Sequence, residues 1–294
     1  MTKTKGLLIK GYNGFYYVKA ENKLWSCSLR GRFRLTKQKF LPGDVVMFTE
    51  IEFPKGVIEE VLPRKNQLVR PSIANVEQAV ITFALTAPNP DFLLLDRILV
   101  QVLEKEITPI ICFNKADLVS EEERIKLISP YEKSGFTVIC VSAETGSGIE
   151  ALKKQIEGHL VVLAGPSGVG KSSILNALNS EFHLETGELS KKVERGKHTT
   201  RKVELLPLDE ITYIADTPGF STLFLPDGIE KNTLVHYYPE IFEAAHNCPF
   251  KSCMHHKERD CAVKDGVEKG LIDKGRYERY CILFEELKER EGKY

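Results

Sequence analysis

The 294-residue chain contains no apolar run approaching the eighteen or so residues needed to span a bilayer. Its opening, MTKTKGLLIKGYNG, lacks the hydrophobic segment and cleavage site of a secretory signal. Membrane insertion and secretion are therefore unexpected, and a cytoplasmic location is expected. The chain carries no net charge, with 41 Lys and Arg against 41 Asp and Glu. It also lacks an even set of cysteines: there are seven, and an odd count without a signal argues against a disulfide framework. No coiled-coil repeat or extended apolar stripe demands a partner copy, so a monomer is expected. The length is sufficient for two or three domains.

The zero balance hides an asymmetry. Residues 1–70 hold 14 basic against 6 acidic side chains, whereas residues 71–225 hold 15 against 21. A basic N-terminal module suits a polyanion. Its short β-rich runs FYYV, KLWSCSL, DVVMFTEI and GVIEEVL are separated by breakers such as Asn13-Gly14 and Pro42-Gly43. That pattern predicts a small closed barrel of OB or SH3-like type. The stretch RGRFRLTKQKF (30–40) mixes cations with Phe33 and Phe40, a composition suited to nucleic acid or, alternatively, to a loop whose rings tuck into the barrel.

After a linker at 63–75, apolar strands alternate with amphipathic helices: QAVITFAL, DFLLLDRILVQVLEKE, PIICFN, SEEERIKLISPYEKS, FTVICVS, GIEALKKQIEG, LVVLAG, KSSILNALN. Continuous apolar strands between helices predict a parallel sheet covered on both faces. Beyond about residue 226 no strand is expected. The last helix carries an apolar stripe of Tyr277, Tyr280, Cys281, Phe284 and Leu287, read as core. The domains are thus placed at 1–66, 67–225 and 226–294.

The sequence Gly165-Pro166-Ser167-Gly168-Val169-Gly170-Lys171-Ser172 fits G-x-x-x-x-G-K-[ST] and lies between a strand and a helix, where backbone N–H groups face phosphates. Lys171 is expected to bridge the β- and γ-phosphates and Ser172 to hold Mg²⁺, with Ser173 beside them. The base is read by Asn114-Lys115-Ala116-Asp117, since a carboxylate at Asp117 accepts from N1–H and the N2 amino group of guanine, a donor pair adenine lacks. Asn114 braces that loop, the stem of Lys115 lies along the base, and Ser142-Ala143 supplies a backbone N–H for the guanine O6. Asp216-Thr217-Pro218-Gly219 ends the strand ITYIA, placing Asp216 near Mg²⁺ and the Gly219 amide near the γ-phosphate. The polar stretch EFHLETGELSKKVERGKHTTRK is expected to be a mobile switch whose Thr199 or Thr200 is a further Mg²⁺ ligand. Phe220 stands where many GTPases have a water-orienting glutamine, and His198 is the nearest candidate for that role, with an exposed loop histidine as the alternative.

Residues 248–261, CPFKSCMHHKERDC, give Cys-x4-Cys-x-His-x5-Cys. Cys248, Cys253, His255 and Cys261 complete a tetrahedral zinc set, with His256 as an alternative to His255. Four protein ligands leave no open position, so the metal is structural.

The order NKAD, SA, GPSGVGKS, HTT, DTPG resembles that of the circularly permuted GTPases, in which base recognition precedes phosphate binding. With the barrel before it and the cysteine cluster after it, the whole chain resembles the ribosome small subunit-dependent GTPase A (RsgA) family. The resemblance implies an OB-like barrel, a permuted P-loop GTPase core and a mostly helical zinc-binding domain. It further implies a bacterial assembly factor that contacts ribosomal RNA and hydrolyses GTP slowly until the small subunit stimulates it. A hydrophobic residue after DTPG and a water-orienting role for His198 are likewise family expectations. Competing readings are an RNA-binding module using GTP only as a lock, a permuted GTPase of the large subunit, and a P-loop kinase, the last of which would not need NKAD.

Overall fold

The computed structural model describes residues 3–12, 14–35, 38–69, 71–182, 184, 203–220 and 225–292, and of residues 34, 35 and 216–220 the backbone only. Five strands, β1 (Lys3–Tyr12), β2 (Phe15–Ala20), β3 (Lys23–Leu29), β4 (Val45–Glu52) and β5 (Lys55–Val61), close into a barrel in the order β1-β2-β3-β5-β4. The pair β3–β5 is parallel, and the other pairs are antiparallel. Consecutive hairpins cannot produce a parallel pair, so the chain crosses over between β3 and β4, by way of α1 (Arg32–Leu35). This arrangement is OB-like.

Leu8, Val18, Trp25, Cys27, Val46, Phe48 and Ile58 fill the barrel. Phe33 is buried too, meeting Phe40 edge-on at 5.2 Å, while Phe40 lies 5.1 Å from Tyr16. Arg30 and Arg32 bind the carboxylate and the carbonyl of Glu59. The rings of the 30–40 stretch thus serve the barrel core. Among the described residues the exposed large apolar side chains of the barrel lie elsewhere: Tyr12 and Phe15 at the β1–β2 turn, Leu24 on β3, Ile51 near the end of β4 and Phe53 in the β4–β5 turn.

The described residues of the linker make defined contacts. β6 (Gln67–Leu68) pairs with β7 (Ile73–Ala74), and Arg64 binds the fully buried Asp44 through Nε at 2.6 Å.

Six strands form the central sheet: β8 (Gln78–Ala84), β9 (Thr108–Asn114), β10 (Thr137–Cys140), β11 (Leu160–Ala164), β12 (Glu204–Pro207) and β13 (Tyr213–Phe220). Their spatial order is β10-β9-β8-β11-β13-β12, with only β12 antiparallel to its neighbour. Alternate residues enter different cores, as a period-two strand requires. Ile81, Phe83, Ile111 and Phe113 face one side, where α2 (Phe92–Glu104) and α3 (Glu121–Lys133) pack through Leu95, Ile98, Leu99 and Tyr131. Val80, Ile110, Cys112 and Leu163 face the other, under α4 (Ile149–Ile156) and α5 (Lys171–Leu178). The Asp91 side chain caps α2 and a Ser120/Glu123 capping box opens α3, satisfying N–H groups that the first turn leaves without partners.

Among the described residues the C-terminal part is helical: α6 (Pro239–Ala245), α7 (Ala262–Glu268) and α8 (Lys274–Glu291). Tyr280, Leu283, Phe284 and Leu287 of α8 share a core with Tyr238, Ile241, Val263 and Val100 of α2.

Candidate functional site

The loops that follow β9, β10 and β11 leave the same edge of the sheet, because these strands run parallel. Residues 165–170 form the loop between β11 and α5, so the first N–H groups of that helix open onto the loop. Gly165 has φ +123, and a Cβ there would sit 2.1 Å from the Thr82 carbonyl oxygen on β8. Gly170 has φ +93, and its Cβ would sit 2.2 Å from Asn114 Nδ2. Only glycine meets both demands, a left-handed backbone and a close neighbour. Pro166 is half-buried, Ser167 and Gly168 are exposed, and Val169 is buried beneath them. Ser172 and Ser173 are half-buried in the first turn of α5. Lys171 Nζ donates to the carbonyls of Gly165 at 2.8 Å and Pro166 at 2.6 Å, and burial lowers its pKa.

Asn114 joins the three loops. Its side chain is buried, its Nδ2 donates to the Val169 carbonyl at 2.9 Å, and its Oδ1 accepts from the Ala143 N–H at 3.1 Å. Lys115 takes a left-handed conformation with φ 63, and its ammonium donates to the Ala87 carbonyl. The turn through Ala116 leaves Asp117 exposed at the rim. Ser142 is buried and its Oγ accepts from the Thr145 N–H at 3.1 Å, which shapes the loop carrying the half-buried Ala143.

The backbone of Asp216 and Gly219 belongs to β13, whose end registers Phe220 against Ala164 at the base of the phosphate loop. His198, Thr199 and Thr200, with most of the polar stretch around them, lie outside the described residues.

A second centre lies between α6 and α7. The ligand atoms of Cys248, Cys253, His255 and Cys261 all fall within 4.8 Å of one another. His255 Nδ1 is 3.4 Å from Cys248 Sγ and 3.5 Å from Cys261 Sγ, and the two sulfurs are 3.9 Å apart. Metal bonds of roughly 2.3 Å to sulfur and 2.0 Å to nitrogen give tetrahedral edges of about 3.8 and 3.5 Å, so this donor set fits one such ion. Burial pushes the Cys253 thiol up to about 12 and lowers the His255 pKa. The neutral imidazole is ready to ligate, and a cation would offset the burial cost of the thiolates. His256 does not join the set: its Nδ1 lies 3.3 Å from Glu285 and its ring packs on Phe284. The stripe on α8 supports this loop as well as the core, since Tyr277 OH donates to the His255 carbonyl and Tyr280 OH to that of Met254.

One further group of residues has no motif that could announce it. Asp96 of α2 binds Arg276 and Arg279 of α8 and accepts from Tyr131 OH, while Arg276 also binds Glu240 of α6. Its members come from separate segments, with Asp96 and Arg276 180 positions apart.

The sequence matches the family model described as RsgA N-terminal domain over residues 5–58 and that described as RsgA GTPase over 61–226. It is 45% identical over 291 residues to the "Small ribosomal subunit biogenesis GTPase RsgA" of Caldanaerobacter subterraneus, covering 99% of this chain and 98% of that one. The protein of the same description from Moorella thermoacetica is 47% identical over 290 residues, with 99% of each covered. Among solved structures, YjeQ from Thermotoga maritima superposes with a TM-score of 0.83 at 36% identity, covering 97% of this chain and 99% of that one. YloQ, described as a circularly permuted GTPase, gives 0.84 at 36% identity, covering 98% and 96%. With family-model matches over residues 5–58 and 61–226 and relatives that match nearly end to end, this chain belongs to the RsgA family of GTPases.

Proposed function

We propose that this protein hydrolyses GTP as a maturation factor of the small ribosomal subunit. The observation that carries this reading is the position of Asn114, bonded at once to the phosphate loop and to the loop of Ala143. A buried amide in that place makes the base-reading and phosphate-binding loops one rigid unit, whatever their order in the chain.

In this reading Asp117 pairs with the guanine N1–H and amino group, Lys115 covers the base and the Ala143 N–H meets O6. The amides of 165–173 and the Lys171 ammonium hold the phosphates, and the Gly219 amide senses the last of them. Ser172, Asp216 and Thr199 or Thr200 hold magnesium, which when bound neutralises charge developing on the phosphate oxygens. His198 orients the attacking water, since Phe220 has no hydrogen-bonding group for it. The metal of the Cys248, Cys253, His255, Cys261 set is zinc, structural because four protein ligands leave no place for substrate.

The RNA contact of the barrel is centred on Phe53, which is 59% exposed, with Lys23 Nζ 6.0 Å from its ring centre and Trp25 edge-on at 5.3 Å. An exposed ring beside a cation offers stacking to an unpaired base and charge to its phosphates. Among the described residues no helix is long and apolar enough to cross a membrane; in this reading the protein acts on the ribosome as a cytoplasmic monomer.

Multiple-turnover hydrolysis with purified subunits tests the reading. GTP turnover should rise with small subunits, ATP should not be used, and His198→Ala should abolish the stimulated rate. Equal stimulation by large subunits, or GTP binding without turnover, would refute it.

A further inference from the structure

The barrel meets the nucleotide domain through an irregularity in β1. Leu8 pairs with Val18 and Lys10 with Tyr17, so Ile9 is an extra residue with no partner on β2. Such a bulge re-aims side chains. Leu8 faces the barrel core, whereas Ile9 is buried in the core of the central sheet, which also holds Leu205 and Leu160. Lys10, next along, reaches Glu204 of β12 at 2.6 Å. At the other end of the β12–β13 hairpin, Asn22 Nδ2 of the barrel donates to Glu210 at 3.3 Å.

That hairpin is the segment between the two switches. Glu204 lies four residues after Thr200 and stands directly opposite Asp216 in the antiparallel register. Its turn is stiff: Asp209 accepts from the N–H groups of Ile211 and Thr212 and from Thr212 Oγ1, and Thr212 Oγ1 in turn accepts from Gly158 N–H. The barrel thus touches both ends of a hairpin whose turn is pinned by hydrogen bonds.

We propose that the Lys10–Glu204 pair, set by the bulge at Ile9, is the contact through which the barrel positions the switch strands. Lys10 and Glu204 are then positioning residues for subunit-stimulated hydrolysis, an inference that rests on the function proposed above. The pair is 35% and 43% exposed, so its contribution to global stability is small. Its effect is to fix the angle between the barrel and the β12–β13 hairpin.

The test compares Lys10→Met, Glu204→Gln and the swap Lys10→Glu/Glu204→Lys in the full-length protein. Intrinsic GTP turnover and nucleotide affinity should stay within about twofold of wild type, while stimulation by small subunits falls about three- to fivefold in each single variant and recovers in the swap. Amide exchange of residues 203–207 and 213–216, measured without subunits, should quicken in the single variants and recover in the swap. Full stimulation and unchanged exchange in the single variants would overturn the proposal. A swap that stays defective would overturn it too, because Lys10 would then be acting on the subunit directly. If wild type itself is not stimulated, the function proposed above fails, and the exchange measurement still decides whether the pair positions the hairpin.

Discussion

Arg276 Nη1 lies 2.6 Å from Asp96 Oδ1, with side chains 1% and 0% exposed, across the junction between the nucleotide domain and the C-terminal helices. Burial works against the guanidinium charge, but the carboxylates of Asp96 and Glu240 more than offset it and hold Arg276 protonated. Its Cζ also lies 4.4 Å from the centre of the Tyr238 ring. Asp96 accepts from Arg279 and Tyr131 as well, so its charge is well supplied with donors. The part that carries the cysteine cluster is therefore held to α2 and α3.

Removing one partner of such a cluster strands the others. Arg276→Met should cost about 3–5 kcal/mol, because two carboxylates lose their chief donor in a dry environment. Hydrogen exchange along α8 is the appropriate measurement, since the single tryptophan, Trp25, reports only on the barrel. Asp96→Asn combined with Arg276→Met should cost less than the sum of the two single changes.

Asn114→Ala leaves the Val169 carbonyl and the Ala143 N–H without their buried partner, at about 1–3 kcal/mol each. Affinity for GTP measured by titration calorimetry should fall at least about tenfold. Gly170→Ala should do the same by another route, since its Cβ would press on Asn114 Nδ2 from a left-handed backbone.

Stripping the metal with a chelator should release about one zinc ion per chain and loosen residues 248–292, leaving exchange in the barrel and the central sheet unchanged. Cys253→Ala should reproduce that pattern without chelator. Acidification should favour release, because protons compete for the thiolates and for the imidazole of His255.

Asp209 supplies a pH-dependent contribution of known sign. Burial raises its pKa, but hydrogen bonds from Thr212 and Ile211 outweigh that and hold the carboxyl below its ordinary value of 3.8. The folded state therefore keeps it ionised after the unfolded chain has taken up a proton. Its stabilisation is complete above the ordinary value and is lost as pH falls through the lower folded one. The melting-temperature gap between wild type and Asp209→Asn should be largest near neutrality and narrow on acidification below about pH 4.

The sequence alone determined the parts whose physics is local. A phosphate loop needs glycines at fixed spacing before a helix, and a tetrahedral ion needs four donors, so both can be read from short windows; even the permutation is visible as NKAD preceding GPSGVGKS. Alternation of strands and helices likewise announced the parallel sheet. Tertiary structure decided what depends on distant partners. It selected the OB-like barrel through the parallel β3–β5 pair, and His255 over His256 through the direction each ring takes. It turned Phe33 and Phe40 inward and left Phe53 exposed, because closure of a barrel, and not composition, chooses which rings are covered. The cluster of Asp96 with Arg276 and the pair of Lys10 with Glu204 leave no trace in the sequence, since an ion pair between segments 180 or more residues apart has no spacing to read.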